Sequence, residues 1–127
     1  MISTPRPGVR PTTSDDGPHR QLDQRASPAL WGELTARVFA LDGVVEGHSQ
    51  VSPASSRGVF LADIDVERAP ETNLAPGRRL EPVHLHGVAD TSVHLVLPAE
   101  RGRRLVELGW AGTSTTVGTT WVCSMTT

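Results

Sequence analysis

The sequence predicts one α+β domain: an antiparallel sheet that includes a histidine-bearing hairpin, with two helices packed on one face. Three observations lead there. Leu30, Trp31, Leu34, Val38 and Leu41 recur at spacings of three and four, the period of a helix buried on one side. Within 83–97, two β-rich runs are parted by turn-forming residues, the pattern of a hairpin. A second helical stretch opens at Pro98 and ends at Gly109. Helix, strands, hairpin, helix is the order of a sheet whose neighbouring strands pair antiparallel beneath helices.

Composition limits the classes available. The chain has 127 residues, 37% hydrophobic and 20% charged, which suits a single globular domain. No apolar run reaches the length of a membrane span, and the start, Met-Ile-Ser-Thr-Pro-Arg-Pro-Gly, lacks the apolar stretch of a signal peptide. Cys123 has no cysteine to pair with, which fits a reducing compartment, so a cytoplasmic protein of bacterial type is expected. A net charge of −2 argues against a dedicated nucleic-acid binder, which carries a basic stripe. All 12 basic residues are Arg, a bias that accompanies abundant Ala, Gly, Pro and Val and reflects a GC-rich coding sequence.

Three segments are expected: residues 1–27, a domain over 28–111 and a tail over 112–127. The first is rich in Pro, Arg and Thr without a period, so alone it is expected to be disordered. Leu22 and the polar group His19, Gln21, Asp23 and Gln24 are its candidates for docking on the domain. Ser27 is placed to cap the first helix, Pro28 sits where its missing N–H costs nothing, and Gly43 supplies the stop. Strands are expected at 44–51 and 58–62, and Asp63, Asp65 and Glu67 alternate with Ile64 and Val66 as a half-exposed strand or its end. Residues 68–79, with two prolines and a glycine, form a long loop of the kind that often serves function. Leu105 and Leu108 face inward from the second helix, which Gly102 weakens by roughly 1 kcal/mol. A last strand is expected around Trp121.

Chemistry concentrates in the hairpin. His84 and His86, two residues apart, project from one face of a strand. The turn decides whether His94 joins them. A loop of odd length sets His84 opposite His94 and His86 opposite Ser92, and lets Leu85, Val93 and Leu95 share the other, buried face; an even loop splits the apolar set. The odd loop is therefore expected, with three imidazoles on one side. Three readings stay open for them: structural histidines satisfied by hydrogen bonds, a three-histidine metal site with an open position, or general acid–base work on an acidic substrate. The spacing of His84, His86 and Asp90 resembles the first motif of cupins, with Asp90 in place of the usual Glu, but no second cupin motif follows. No metal and no other cofactor is expected.

Asp63, Asp65 and Glu67 are read as a solvated strand face, and Arg78 and Arg79 as loop-surface residues, Arg79 being able to steady an anion. Trp31 and Trp110 are read as core aromatics. Cys123 has no nearby His in sequence to activate it.

The run Pro82-Val83-His84-Leu85-His86, then Asp90, Ser92, His94-Leu95-Val96-Leu97-Pro98 and later Leu108-Gly109-Trp110-Ala111, resembles the luciferase-domain family, small bacterial and fungal proteins named after the fungal luciferases. Arg6, Gly8, Arg10-Pro11, Thr12-Thr13, Pro18-His19 and Gln21-Leu22-Asp23-Gln24 are similar to the opening of its bacterial members, so the likeness covers most of residues 5–111. It implies a pocket for a small oxidisable aromatic or pyrone-like molecule and a cofactor-free reaction with oxygen. On that reading His84, His86 and His94 line the pocket as catalytic candidates, one acting as base toward an enolic substrate. Arg79, Asp90 and Ser92 are the candidates for binding it. The partner is then a small molecule, with neither nucleic acid nor membrane involved. The alternatives are a non-catalytic ligand-binding or regulatory domain with structural histidines, and a cupin-like metal-dependent enzyme.

The tail departs from the resemblance. Family members continue past Gly-Trp-Ala with an acidic residue, a further His and an apolar strand and helix, whereas residues 111–127 here are Thr-rich and uncharged. A frameshifted or truncated end is one expectation, because Thr codons begin with A-C and a one-base shift converts them to Tyr, His, Asn or Asp. A Thr-rich terminal strand, which β-propensity favours, is the other.

Overall fold

The computed structural model describes residues 3–14, 20–62, 73–114 and 120–123, with backbone only for 113–114 and 120–123. Its elements in chain order are α1 (Pro28–Phe39), β1 (Val44–His48), β2 (Arg57–Leu61), β3 (Val83–Leu85), β4 (Val93–Val96), α2 (Ala99–Glu107), β5 (Ala111–Ser114) and β6 (Thr120–Cys123). The strands form one sheet in the order β1-β2-β3-β4-β6-β5, antiparallel at every pairing. The class is α+β. The alternating stretch 63–67 lies outside the described residues.

α1 begins as its cap requires. Ser27 Oγ accepts from the Leu30 N–H at 3.2 Å and Pro28 takes the first helical position. The helix ends at Phe39, ahead of Gly43, whose φ of +80° turns the chain into β1. The inward stripe is therefore Trp31, Leu34, Thr35, Val38 and Phe39. Leu41, expected within it, falls past the helix end and is 61% exposed.

Register then sorts the strands into two faces, since residues directly opposite share a side. Val59 pairs with Val83, Arg57 with Leu85, and Leu85 with Val93, so these valines and Leu85 stand together. With Trp31 of α1, Val59 and Leu85 form the core, joined by Val83, Val93, Val44 and the inner residues of α1. Gly58, Phe60, His84 and His94 occupy the opposite face. One more pair extends the hairpin, the His86 N–H donating to the Ser92 carbonyl at 2.9 Å, and leaves 87–91 as an odd loop.

α2 meets the sheet at β5, while α1 meets it at β1. Gly109, at φ +83°, lets its own N–H and that of Trp110 return to the carbonyls of Val106 and Leu105 at 3.0 and 2.9 Å, closing the helix. Leu108 is buried, as expected, and Leu105 is half-buried. β5 was not foreseen: Ala-Gly-Thr-Ser has no apolar alternation, and among the described residues it joins the sheet through β6.

The described N-terminal residues dock on the domain, the outcome that Gln21 and its polar neighbours allowed for a segment expected to be disordered only when alone. The Arg6 N–H donates to the Leu108 carbonyl at 2.8 Å, and the Arg10 guanidinium reaches the Val106 and Ala111 carbonyls at 2.6 and 3.1 Å, placing a cation at the negative end of α2. Trp110 is half-buried and clasps this segment, its Nε1–H donating to the Thr4 carbonyl at 2.8 Å, rather than filling the core. Further along, the Gln21 N–H donates to Ser92 Oγ at 2.8 Å and the Ala26 N–H to Thr91 Oγ1 at 3.0 Å, tying the segment to the hairpin loop. Gln21 is 1% exposed, whereas Leu22 is 47% exposed and does no docking. His19 lies outside the described residues. Among those described, no helix is long and apolar enough to cross a membrane.

Candidate functional site: a buried histidine cluster

Adjacent β3 and β4 bring the three histidines together on the face away from α1. His84 lies directly opposite His94, and His86 continues β3 by one alternation, so the odd loop has the expected effect. Ring centroids are 5.5 Å apart for His84 and His86, 4.8 Å for His84 and His94, and 4.5 Å for His86 and His94. One ring nitrogen from each lies within 4.8 Å of the others. All three residues are buried, at 4%, 4% and 7% exposure.

Two carboxylates set the orientation of two rings. His84 Nδ1 lies 2.9 Å from Glu81 Oε2, and His86 Nδ1 lies 2.9 Å from Asp90 Oδ2. A carboxylate only accepts, so each Nδ1 carries the hydrogen and each Nε2 of a neutral ring presents a lone pair. The Nε2 atoms of His84 and His86 are buried and have no hydrogen-bond partner among the described residues.

Glu81 is fully buried, and the described structure replaces its lost water. Ser49 Oγ–H donates to it at 2.6 Å and the Gln50 N–H at 2.7 Å, beside the His84 bond. Burial pushes the Glu81 carboxyl upward, but the bonds from His84, the Gln50 backbone and Ser49 together hold it below the ordinary glutamate value. Its own backbone is held in turn, its N–H donating to Asn73 Oδ1 at 2.9 Å. Asp90 repeats the arrangement: burial raises it, while His86 and the Ser92 N–H, the latter at 2.9 Å, bring it below the ordinary aspartate value. Both groups are thus anions behind the rings.

The remaining expected residues sit as follows. Ser92 Oγ is engaged by the Gln21 N–H, so it anchors the N-terminal segment. Arg79 is exposed, with its guanidinium 4.3 Å above the Phe60 ring, and Phe60 shares the histidines' face. The cavity of about 60 Å³ beside Arg10, Thr13 and Gln21 and that of about 310 Å³ beside His48 and Arg57 are not lined by the trio. Glu81 went unnoticed in the sequence. It lies three residues before His84, a spacing that puts side chains on opposite faces of an extended strand, and Pro82 intervenes. The Glu-x-x-His spacing was the one available signal.

Compared with known families, residues 79–126 match the model of the luciferase domain, a span that holds the whole hairpin and runs through the Thr-rich tail. No curated protein and no solved structure matches the chain.

Proposed function

We propose, from the match of residues 79–126 to the luciferase domain model, that the domain binds a small oxidisable aromatic or pyrone-like molecule at the histidine cluster, favouring its deprotonated form for reaction with oxygen. The reading is carried by two buried imidazoles, each backed at Nδ1 by an anionic carboxylate, with Nε2 unpartnered among the described residues. An enol becomes electron-rich, and open to attack by O2, when it loses its proton. Positive charge held next to the enol oxygen favours that loss. Glu81 and Asp90 make the cluster a good holder of positive charge, because negative charge at Nδ1 strengthens Nε2 as an electron-pair donor. The simplest such charge is the proton itself, passed from the enol to His84 or His86, whose imidazolium the carboxylate then stabilises. Arg79, on the same face, is proposed to steady the anion. Asp90 and Ser92 act by holding His86 and the N-terminal segment.

A simple 4-hydroxy-2-pyrone serves as the probe. The expected result is saturable binding, an absorption change that marks enolate formation, and consumption of dissolved oxygen. All three responses should be lost in His84→Ala and in His86→Ala. No binding by the folded protein, or binding that both variants retain, would end this reading. Burial of the trio favours one competitor, a regulatory or binding domain with structural histidines, in which the probe is not consumed.

A further inference from the structure

We infer that His84, His86 and His94 form a binding site for one divalent first-row transition-metal ion, of the Zn²⁺ or Fe²⁺ kind. The inference deepens the proposed function, on which it rests only for what the ion would do; the ion's place stands on the geometry alone.

Distances come first. The three donor nitrogens already lie within 4.8 Å of one another. Bonds of about 2.0–2.1 Å from one tetrahedral ion need donors roughly 3.3 Å apart, so the widest pair has to close by roughly 1.5 Å, within reach of small side-chain rotations. Metal-bound histidines generally donate their other ring N–H to a carboxylate or carbonyl, which fixes the tautomer and aims the free lone pair. Glu81 and Asp90 do this for His84 and His86 in the absence of any ion.

Charge and satisfaction point the same way. Among the described residues, the ion-pairing partner of each carboxylate is its own histidine and not an arginine. Neutral rings leave the fully buried Glu81 charge and the partly buried Asp90 charge uncompensated; a divalent ion brings the sum to zero. Protonating both rings would also balance the charge. It would, however, set two imidazolium ions 5.5 Å apart, each burying an Nε2–H that has no acceptor among the described residues. Donor type selects the ion. Three imidazoles suit zinc, iron, cobalt or copper, whereas magnesium and calcium require oxygen donors.

Three protein ligands leave a coordination position open, as in catalytic rather than closed structural sites. An enol would bind there as its enolate, releasing one proton to solvent, so that the ion performs the charge-holding that the proposed function asks of the cluster.

The test uses Co²⁺ alone on the full chain after dialysis against a chelator. The expected result is one equivalent bound, visible ligand-field bands of Co²⁺ on nitrogen donors, a raised Tm and displacement by Zn²⁺. His94→Ala should lose the bands. Glu81→Gln and Asp90→Asn keep every ligand and should weaken binding about 10–100-fold. Should a variant not fold, the unaltered chain still decides: Zn²⁺ should shift the ring resonances of His84, His86 and His94 but leave those of exposed His48 in place. The inference is overturned if millimolar Co²⁺ gives neither bands nor a Tm change, if the bands survive in His94→Ala, or if Zn²⁺ moves only other residues. Pyrone binding by metal-free protein that takes up no Co²⁺ overturns this inference and leaves the proposed function intact. Co²⁺ uptake at the three histidines without pyrone binding supports it and removes that function.

Discussion

A carboxylate with no exposure at all, such as Glu81, persists only where hydrogen bonds replace its water. Four donors supply them: the His84 ring, the Gln50 N–H, the Gln50 side-chain amide at 3.4 Å and the Ser49 hydroxyl. Converting the acid to an amide keeps the size but turns one acceptor into a donor that faces other donors. Glu81→Gln should therefore destabilise the fold by about 1–3 kcal/mol. Ser49→Ala removes one donor and leaves three, so its cost should stay at about 0.5–1.5 kcal/mol. Urea unfolding measures both, as a lower midpoint at constant slope; an unchanged midpoint for Glu81→Gln would show that the buried network does not stabilise the fold. His84, His86 and His94 were legible at this scale because a strand's alternation is written in neighbouring residues. Glu81 was not, because its place depends on Asn73 and Ser49, from a loop and a strand end distant in sequence.

Strand β2 shows how an element shapes the site's surroundings. Phe60 is 2% exposed, and a Cβ on Gly58 or on Gly47 would meet its ring at 2.8 Å, so both glycines are required for the ring to lie flat on the sheet. Arg79 covers the ring from outside at 4.3 Å. With both sides occupied, the ring cannot swing away, and Gly58→Ala should cost about 1–3 kcal/mol through overpacking. Gly32 provides the contrast. It lies within α1 with nothing within 4 Å of an added Cβ, so Gly32→Ala should stabilise by up to about 1 kcal/mol. Thermal unfolding of the two variants should move in opposite directions; a shared direction would show that close approach to Phe60 is not what Gly58 provides. The cap of α1 was readable residue by residue. The glycine requirement was not, since it arises only when two strands pair in this register.

The sheet as a whole depends on its last strand. β6 stands between β4 and β5, and β5 has no other strand partner among the described residues. A chain ended at residue 119 should therefore lose two strands, not one, and expose the free edge of β4, with a clear drop in Tm and in far-ultraviolet strand signal. An unchanged Tm would remove β6 from any part in stability. The N-terminal segment acts at the same scale from the other end of the chain: Gln21 and Ala26 hold the hairpin loop that carries Asp90, and Arg6 and Arg10 hold the end of α2.

Alternation, helical period and turn parity are local properties, and by themselves they determined the α+β class, the cap of α1 and the convergence of His84, His86 and His94 on one face. For residues 1–27 composition predicted disorder of the segment alone, because what holds its described residues is a set of largely polar partners far along the chain. Tertiary structure alone decided that docking, the insertion of β6 between β4 and β5, the burial of Glu81 against His84 and the placing of partly buried Asp90 against His86. Each of these joins groups remote in sequence, so the energy that holds them belongs to the assembled contact and leaves no periodic trace in either partner.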